Sequence, residues 1–388
     1  MNTLFPKYSK RQDGCFTIME QKLLKQVNNL VQDNSKCTGC GICSEACPEE
    51  AISIGPVGAY RRGAIEYGSP IQVDETKCSY CGVCVVMCPF NAMSLEIDGE
   101  AKLPILEKEG FPVYDMVTEI DHEKCSQCTT CEDVCPREAI IRDVPLFEGT
   151  DIFGLKKAEA VNANTEFTCN DEKCTYCGLC GEICQAIDVV RKPFTPETGV
   201  LDGEVIWNKD FCDGCQICQS ICPNEAIEVK RGKIEKKLNN SGLVEIESEE
   251  CCTCRWCAIS CPTEAITVNK IFEGEITFNP AKCPGGCSTC YEVCPANAIY
   301  MPTPKAPADM HNEVEAKIAV NKDFCVLCGA CVNSCPSEDA IVLKRTAVHM
   351  KGKKTDLFKK IEAKLLVPRT SKVREDKDVF GKAQVKAL

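Results

Sequence analysis

Apolar residues recur at helical intervals near the start of the chain. They are Phe16, Met19, Leu23, Leu24, Val27 and Leu30. A spacing of three to four residues places side chains on one face of an α-helix. The pattern therefore predicts an amphipathic helix between about Thr17 and Val31, within a helical extension over residues 1–34. The spacing leaves two uses open for this helix: packing on the chain's own first domain, or docking a partner.

The middle of the chain carries short stretches in which apolar and polar residues alternate. Examples are Ile71-Gln-Val73, Ile227-Glu-Val229, Ile266-Thr-Val268 and Ile318-Ala-Val320. Alternation with period two is typical of β-strands that have one buried face. Each stretch lies close to a group of cysteines, and most of these groups are followed shortly by Ala-Ile. The recurring unit is therefore predicted to be strand, cysteine loop, short helix, strand.

A second helical pattern lies near the C-terminus. Between Thr355 and Leu366, one helical face carries Leu357, Phe358, Ile361 and Leu365. Pro368 follows, and proline commonly stands just beyond the end of a helix. We expect this helix within a basic extension over residues 346–388. Three readings stay open for it: a solvated appendage, a helix lying on the chain's own acidic domains, or a dock onto an acidic subunit.

One cysteine motif organises the chain between these two ends. Cys37, Cys40 and Cys43 are separated by two residues each, and Cys47 follows after three more, just before Pro48. This is the spacing of bacterial-type iron–sulfur proteins. The motif occurs eight times. In chain order, the cysteines of motifs one to eight are Cys37, Cys40, Cys43 and Cys47; Cys78, Cys81, Cys84 and Cys88; Cys125, Cys128, Cys131 and Cys135; Cys174, Cys177, Cys180 and Cys184; Cys212, Cys215, Cys218 and Cys222; Cys251, Cys254, Cys257 and Cys261; Cys283, Cys287, Cys290 and Cys294; Cys325, Cys328, Cys331 and Cys335.

Two motifs depart from the pattern, and three cysteines stand outside it. Motif four has Gln185 in place of the proline and a shortened turn, and motif seven has one extra residue in its first gap. The three remaining cysteines are Cys15, Cys169 and Cys252. Cys169 is a candidate stand-in ligand near motif four. The other two are interpreted as ordinary thiols, buried or at the surface.

The repeated spacing favours [4Fe–4S] clusters over zinc and over disulfides. Three thiolates on one tight loop suit three corners of a cubane, with loop amides directed at its sulfurs. Structural zinc needs four ligands, usually from two separate Cys-x-x-Cys pairs, so a third closely spaced cysteine is surplus. The fourth cysteine is expected to begin a short helix that faces away, and so to serve a neighbouring cluster. All 32 motif cysteines are thus predicted ligands of eight [4Fe–4S] clusters, with no catalytic residues.

The predicted fold class is α+β, with four tandem bacterial-type two-cluster ferredoxin domains. Consecutive pairing of motifs is the simplest scheme, and it places the domains at residues 35–110, 111–195, 196–270 and 271–345. The gap between motifs six and seven is the shortest, and Ile266–Phe278 there is predicted to form a hairpin that turns at Glu273-Gly274. A second scheme therefore nests motifs six and seven between motifs five and eight.

Composition and charge restrict the partners and the compartment. The chain has 388 residues, 35 cysteines and a formal net charge of −12. From Lys344 to Leu388 it has 14 basic and 5 acidic residues, so the rest of the chain is strongly acidic. An acidic body argues against nucleic acid as a partner. The sequence contains no run of 18 apolar residues, so it predicts no membrane span. The N-terminus also lacks the pattern of a signal peptide. We therefore expect a cytoplasmic protein that does not bind membranes, with its thiols kept reduced.

The sequence contains no motif for a second chemistry. We find no phosphate-binding loop, no dinucleotide fingerprint and no nucleophile elbow. The three histidines, His122, His311 and His349, are too scattered for a catalytic or metal-binding constellation. Arg255-Trp256 inside motif six is the unusual insertion, and it is interpreted either as shielding a cluster from water or as marking a contact surface.

Eight tandem motifs from Cys37 to Cys335 make the chain resemble the polyferredoxins of methanogenic archaea. Within that family, the motif count and length are similar to those of the polyferredoxin subunit of tungsten or molybdenum formylmethanofuran dehydrogenase. The resemblance implies a non-catalytic subunit that relays low-potential electrons in a large complex reducing CO2 in methanogenesis. It implies as partners the catalytic formylmethanofuran dehydrogenase subunits, and either heterodisulfide reductase or a hydrogenase. A hydrogenase-linked polyferredoxin and a freely diffusing electron reservoir are the alternative interpretations.

Overall fold

The computed structural model describes residues 5–65, 68–143, 165–192, 202–232, 242–284, 287–302 and 318–372. Its contacts divide the chain into two compact units. Unit 1 consists of residues 1–116, 271–295 and 326–388, and unit 2 consists of residues 117–270 and 296–325. None of the helices in the described ranges is long and apolar enough to cross a membrane.

The described helices are short, with one exception near the C-terminus. Ten have four to six residues and the eleventh has ten. Their bounds are α1 Ile42–Ala46, α2 Val57–Arg61, α3 Val83–Val86, α4 Pro104–Glu109, α5 Thr130–Asp133, α6 Leu179–Ile183, α7 Ile217–Ile221, α8 Trp256–Ser260, α9 Thr289–Glu292, α10 Ala330–Ser334 and α11 Asp356–Leu365, with one 3-10 turn at Lys209–Phe211.

The described strands are also short, and they form one five-stranded sheet, one three-stranded sheet and several strand pairs. Their bounds are β1 Lys7–Asp13, β2 Phe16–Lys22, β3 Val27–Asp33, β4 Ile52–Ile54, β5 Ile71–Val73, β6 Met93–Ile97, β7 Glu100–Ala101, β8 Val113–Tyr114, β9 Thr118–Ile120, β10 Ile140–Asp143, β11 Glu166–Cys169, β12 Ile187–Arg191, β13 Gly203–Trp207, β14 Ile227–Lys230, β15 Leu243–Ile246, β16 Ile266–Val268, β17 Phe272–Phe278, β18 Ile299–Tyr300, β19 Ala319–Val320, β20 Ile341–Val348, β21 Met350–Lys351 and β22 Arg369–Thr370.

The predicted unit of strand, cysteine loop, short helix and strand is confirmed, with one correction to the helix. The helix does not begin at the fourth cysteine. In motif one, α1 contains the third cysteine, Cys43, and Cys47 is the residue that caps its C-terminal end. The fourth cysteine therefore follows the helix, and the turn after it leads into the next strand.

The predicted N-terminal helix is wrong, because this segment forms three antiparallel strands. β1 pairs with β2 and β2 with β3, and Met19 lies opposite Leu30 with both side chains almost fully buried. The buried positions do alternate with period two, but several of them hold polar residues, such as Asn28 and Gln32. Buried polar residues hid the strand pattern, and the apolar residues that remained happened to lie at helical spacing.

The predicted C-terminal helix is confirmed as α11. The Thr355 side chain caps it by accepting a hydrogen bond of 3.2 Å from the Phe358 amide. Phe358, Ile361 and Leu365 are buried, and α11 packs against α1. The Phe358 ring meets Phe111 edge to face at a centroid distance of 5.6 Å. Of the three readings, the structure favours a helix lying on the chain's own domains. Residues 373–388 of the basic extension lie outside the described residues.

Motifs one and two form one two-motif module in unit 1, which we call module 1/2. Helix α1 packs against α3, and β4, which follows motif one, pairs antiparallel with β5, which precedes motif two. The strand β6 after motif two extends the N-terminal sheet by pairing with β3. The N-terminal strands are therefore part of this module's sheet and not a separate extension.

The strand pairs of unit 2 follow neither predicted scheme for motifs three to six. Motif three is paired with motif six, because β9 pairs with β16, β10 pairs with β15, and α5 packs against α8. Motif four is paired with motif five through β11 with β14, β12 with β13, and α6 with α7. Module 4/5 is thus inserted into module 3/6, which corrects the domains placed at 111–195 and 196–270. Nesting does occur, at a different place from the predicted one.

The predicted hairpin at Glu273-Gly274 is also wrong. β16 ends at Val268, and β17 runs straight through both residues while pairing with β20, with a bulge between them. A Cβ atom on Gly274 would lie 2.1 Å from the Lys344 carbonyl oxygen. This glycine therefore permits the close approach of two backbones at a bulge and does not form a turn. Both a bulge and a close backbone approach are common reasons for a glycine inside a strand.

Motifs seven and eight are also joined by strand pairing. In unit 1, α9 packs against α10, and β17, which precedes motif seven, pairs with β20, which follows motif eight. β22 extends this sheet by pairing with β20, and β21 pairs with β8. The pair β18–β19, which lies between the two motifs in sequence, belongs to unit 2.

Candidate metal centres

Each cysteine loop is shaped by residues with left-handed backbone conformation. In motif one, Gly39 has φ 69° and Gly41 has φ 81°, and the matching positions of the other motifs behave alike except in motif seven. At several of them the residue is not glycine, as with Gln127, Thr129 and Arg255. Left-handed backbone is unfavourable in free energy for any residue other than glycine. Its recurrence at these positions therefore indicates that the path of the cysteine loop requires this conformation.

Motif seven lacks this conformation at the residue that directly follows its second cysteine. Ser288 has φ −103°, whereas the matching residue of motif eight, Gly329, has φ 96°. The extra residue of motif seven lies in the gap just before this point, between Cys283 and Cys287, and residues 285 and 286 of that gap lie outside the described residues. The departure seen in the sequence is therefore a real change in loop geometry.

Backbone amides of the loops are directed at cysteine sulfurs, as the spacing predicts. The amide two residues after the first cysteine donates to its sulfur at 3.4 Å in the pairs Tyr80–Cys78, Tyr176–Cys174 and Thr253–Cys251. Hydrogen bonds from amides to sulfur are one of the features that set the reduction potential of an iron–sulfur cluster. The loops thus present both the sulfurs and the donors that such a cluster uses.

The turn after the fourth cysteine holds that sulfur in the same way. In five motifs the alanine of Cys-Pro-x-x-Ala donates its amide to the cysteine sulfur at 3.2 to 3.3 Å: Ala51 to Cys47, Ala92 to Cys88, Ala139 to Cys135, Ala226 to Cys222 and Ala265 to Cys261. The fourth cysteine thus receives a backbone amide from a fixed position in the turn that follows it.

In module 1/2, the fourth cysteine of each motif lies with the first three of the other. Burial raises the pKa of the Cys37 thiol to about 12, with the charges of Cys40 and Cys88 adding to the effect. The pKa of Cys78 is raised by burial to about 11, and there Cys81 and Cys47 contribute. Cys88 thus joins the sulfurs of motif one, and Cys47 joins those of motif two.

The same exchange occurs in module 3/6. Burial raises the pKa of Cys131 to about 12, and the added charges are those of its own motif and of Cys261 from motif six. The pKa of Cys251 is raised by burial to about 11, and Cys135 from motif three contributes. The nested pairing of strands therefore brings these cysteines together as well.

Module 4/5 repeats the arrangement despite the departures of motif four. Burial raises the pKa of Cys180 to about 11, and Cys222 of motif five is among the charges that add to it. Cys184 has its pKa raised to about 11, mainly by burial, with Cys212 of motif five contributing. Cys184 therefore reaches the partner motif without the proline that follows the fourth cysteine elsewhere.

In motif seven, the sulfurs of the first three cysteines lie with Cys335. Burial raises the pKa of Cys290 to about 12, and Cys283, Cys287 and Cys335 add to it. Cys335 is the fourth cysteine of motif eight, so motif seven also receives its fourth sulfur from elsewhere. Cys328 and Cys331 of motif eight are buried, and Cys325 and Cys294 are half-buried.

The three cysteines outside the motifs differ from one another. Cys15 is exposed. Cys169 ends β11 close to Cys174, and its pKa is raised to about 12, mainly by burial and then by the charge of Cys174. Cys252 is buried beside Cys254, and a hydrogen bond to that neighbour raises its pKa. Cys169 thus lies near motif four, as the stand-in interpretation requires, while Cys222 occupies the place of the fourth sulfur.

The Arg255-Trp256 insertion is not an exposed contact surface. The Trp256 side chain is buried, and its indole stacks on Phe324 at a centroid distance of 4.1 Å. The indole N–H donates to the Ala296 carbonyl oxygen at 2.8 Å. The tryptophan is therefore part of the packing of unit 2, which agrees with the shielding interpretation.

The donor set fits a [4Fe–4S] cubane. Among the residues that the structure describes, no three histidine, cysteine, aspartate or glutamate side chains are placed to bind one metal ion. A [4Fe–4S] cluster makes a different demand, since its four cysteines bind four separate iron atoms. Exchanged fourth cysteines, left-handed loops and amides directed at sulfur meet that demand.

The comparison with family models identifies the class of protein. The 4Fe-4S dicluster domain model matches residues 36–92, 77–139, 211–265 and 273–338. The chain belongs to this family, and it is a ferredoxin-type iron–sulfur electron-transfer protein. The model reads motifs that follow one another along the chain, so its ranges do not report the nested pairing. None of the four ranges contains motif four.

The comparison with solved structures gives a full-length relative. The chain is similar to a chain of the formate dehydrogenase–heterodisulfide reductase–formylmethanofuran dehydrogenase complex from Methanospirillum hungatei. The two chains are 54% identical, the match covers 100% of each, and the TM-score is 0.71. The comparison with curated proteins found no match.

Proposed function

We propose that this chain relays low-potential electrons through eight [4Fe–4S] clusters, as a non-catalytic subunit of a complex containing formylmethanofuran dehydrogenase. The observation that carries the proposal is the exchange of fourth cysteines within paired motifs, combined with full-length similarity to a chain of such a complex. All 32 motif cysteines are the proposed ligands. The modules are proposed to be 1/2, 3/6, 4/5 and 7/8, with two clusters each.

The assembly part of the proposal rests on the relative from Methanospirillum hungatei. That chain comes from a complex that also contains formate dehydrogenase and heterodisulfide reductase. At 54% identity over the full length, the surfaces that contact neighbouring subunits are expected to be shared. We therefore propose the catalytic formylmethanofuran dehydrogenase subunits and heterodisulfide reductase as partners, and the cytoplasm as the location.

The chain's own residues would hold the clusters and set their potentials. The thiolates bind iron, and the loop amides donate to sulfur, as they do at Cys78 and Cys174. The third cysteine is buried in every motif except motif four, which keeps water away from the site, and water exposure is another determinant of potential. When bound, a cluster of this kind takes up and releases one electron, which is the chemistry that a relay needs.

Iron counting with a single-cysteine variant tests the ligand assignment. The wild-type chain, purified anaerobically, should carry about 32 iron atoms, four for each of eight clusters. Cys81→Ala removes one proposed ligand of the cluster at motif two. We expect about four fewer iron atoms and slower electron transfer along the whole chain, with the other clusters still reducible in a spectroscopic titration.

Cys15→Ala is the matched control, because Cys15 is exposed and lies outside the motifs. It should leave the iron content unchanged. An unaltered iron content in Cys81→Ala would contradict the ligand assignment. Iron near half of the expected value in the wild-type chain would mean that several motifs bind no cluster.

Mass measurement of the purified protein tests the assembly. We expect a stable complex of high mass that contains tungsten or molybdenum and the proposed partner subunits. A monomer that exchanges electrons with many enzymes would instead support a freely diffusing reservoir. Co-purification with hydrogenase subunits alone would support the hydrogenase-linked alternative.

A further inference from the structure

A buried arginine reaches the cysteine loop of motif eight in unit 1. Arg345, on β20, is only 2% exposed. Its Nε donates to the Leu327 carbonyl oxygen at 2.9 Å, and its Nη2 donates to the Cys328 carbonyl oxygen at 2.6 Å. Arginine is rarely buried this deeply unless it is paired. The guanidinium is therefore a fixed positive charge against this loop.

The same guanidinium reaches motif one, where a second arginine joins it. Arg345 Nη1 lies 3.5 Å from the Glu45 carboxylate on α1. Arg369, on β22, lies 2.8 Å from the other oxygen of Glu45 and also donates to the Cys40 carbonyl oxygen at 3.3 Å. Two arginines thus hold one carboxylate, and the group carries a net charge of about +1.

The loops of motifs one and eight are direct neighbours at this point. The Asn333 amide of α10 donates to the Gly39 carbonyl oxygen at 2.8 Å, and its oxygen accepts from Arg369 at 2.6 Å. A Cβ atom on Gly329 would lie 3.4 Å from the Cys40 carbonyl oxygen. Within unit 1, the first motif of the chain therefore meets the last one through the backbones of their cysteine loops.

A positive charge at this place has a definite effect on reduction. Reduction adds one negative charge to a cluster, and a fixed cation in a poorly hydrated setting stabilises that added charge. A contribution to stability alone does not account for Arg345, Arg369 and Glu45. Well-packed apolar residues can commonly replace buried ion pairs without lowering the stability of a protein. The position of the cations between two sets of cluster ligands calls for an electrostatic role.

We propose that Arg345 and Arg369 are positioning residues that raise the reduction potentials of the clusters at motifs one and eight, and that these two clusters exchange electrons directly. In that exchange one electron leaves the reduced cluster and enters the oxidised one, with no bond made or broken. The proposal rests on the proposed function, since both motifs must bind clusters. It makes the first and last motifs neighbours in the electron path, although they lie at opposite ends of the sequence.

A similar arginine occurs in unit 2. Arg231, just after β14, donates to the Ser260 carbonyl oxygen at 3.1 Å and to the Ile259 carbonyl oxygen at 3.2 Å. These carbonyls end α8, directly before Cys261 of motif six, while Arg231 itself follows motif five. The chain therefore places an arginine on the carbonyls of a neighbouring module in each unit.

Redox titration of charge variants tests the proposal. Arg369→Gln removes one cation, and we expect the reduction steps assigned to motifs one and eight to shift to lower potential. Glu45→Gln removes the anion, and the same steps should shift to higher potential. Arg11→Gln, on the exposed edge strand β1, is the matched control and should shift neither step. The steps are followed by electron paramagnetic resonance on the purified full-length protein or its complex.

Opposite shifts from Arg369→Gln and Glu45→Gln, with the iron content of the wild type, support the proposal. Unchanged potentials in both variants, again with full iron content, overturn it while leaving the proposed function intact. A wild-type protein that lacks reducible clusters at these motifs would instead overturn the proposed function.

The role of the buried Arg345 is tested with two variants, one that removes the positive charge and one that keeps it. Arg345→Gln should lower the same two potentials, and Arg345→Lys, which keeps the charge but loses the forked hydrogen bonds, should restore them at least in part. A purely structural role would make both variants lose iron equally, and this outcome would overturn the electrostatic assignment of Arg345.

Discussion

Left-handed backbone is the residue-scale feature on which the cysteine loops depend. Glycine supplies it in motif one, whereas Thr129, Gln216 and Arg255 adopt the same conformation in motifs three, five and six. Glycine also permits a close approach of the backbone to neighbouring atoms, because it has no Cβ. The structure adds that the conformation itself is required, and that glycine is needed where neighbouring atoms also leave no room.

Gly41 is a position where both demands coincide. It has φ 81°, and a Cβ atom there would lie 2.8 Å from the side chains of Asn333 and Ile54. Gly41→Ala should therefore lower the free energy of unfolding by more than the roughly 1–2 kcal/mol that left-handed strain alone would cause. It should also lower the iron content. Gly99 has the same φ of 81° with nothing within 4 Å, so Gly99→Ala measures the strain alone.

Thermal unfolding and iron content of the two alanine variants decide this prediction. We expect Gly99→Ala to keep its full iron content and Gly41→Ala to lose part of it. Equal behaviour of the two would show that crowding around Gly41 is unimportant.

At the scale of elements, burial decided which apolar pattern became a helix. The α11 segment has a cap, a clean apolar face and charged residues elsewhere, so local and tertiary preferences agree. In the N-terminal segment the alternation was broken by buried Asn28 and Gln32, which form hydrogen bonds with Gln21 of the neighbouring strand and with Ser69. Polar residues in a buried strand face are not recognisable without knowing their partners.

The apolar face of α11 is expected to contribute strongly to stability. Phe358 is fully buried and packs on Phe111. Phe358→Ala should lower the free energy of opening of this helix by about 3–5 kcal/mol, because it removes a buried ring and leaves a cavity. Lys360→Ala, on the exposed side of the same helix, should change it by less than about 0.5 kcal/mol.

Native-state hydrogen exchange of the α11 amides measures both values, because it reports local opening free energies. A similar loss of protection in the two variants would mean that the helix is held by its charges and not by its apolar face.

At the scale of the whole molecule, the nested pairing is the main departure from chain order. The chain leaves module 3/6 after Asp143 of β10 and returns at Leu243 of β15, and these two residues are register partners. Everything between them can therefore leave the module without separating its strands. The consecutive scheme would instead divide this stretch between two domains.

Excision of the inserted module distinguishes the two schemes. Replacing residues 144–242 by Asn-Gly closes β10 and β15 with a two-residue hairpin turn, which suits such a sequence. We expect the shortened chain to keep about 24 of about 32 iron atoms, since only the two clusters of module 4/5 are removed. Iron well below that value would indicate that motifs three and six do not support each other.

Spacing by itself determined the class of this protein, and it supplied the proposed ligand residues. Cysteines at fixed intervals on one loop specify a local chemistry, and in five motifs the Ala of Cys-Pro-x-x-Ala is part of the same local turn. For this reason the family, the repeating unit and the helix α11 could all be predicted from sequence.

The tertiary structure alone decided which motifs pair, where the N-terminal strands go and which loops face each other across the arginines. Motifs three and six are more than 100 residues apart in sequence, yet each contributes strands and a fourth cysteine to the other. All eight motifs carry nearly the same ligand pattern, so nothing local distinguishes one partner from another. The choice depends on the packing of strands and helices over long distances, which a repeated local motif does not encode.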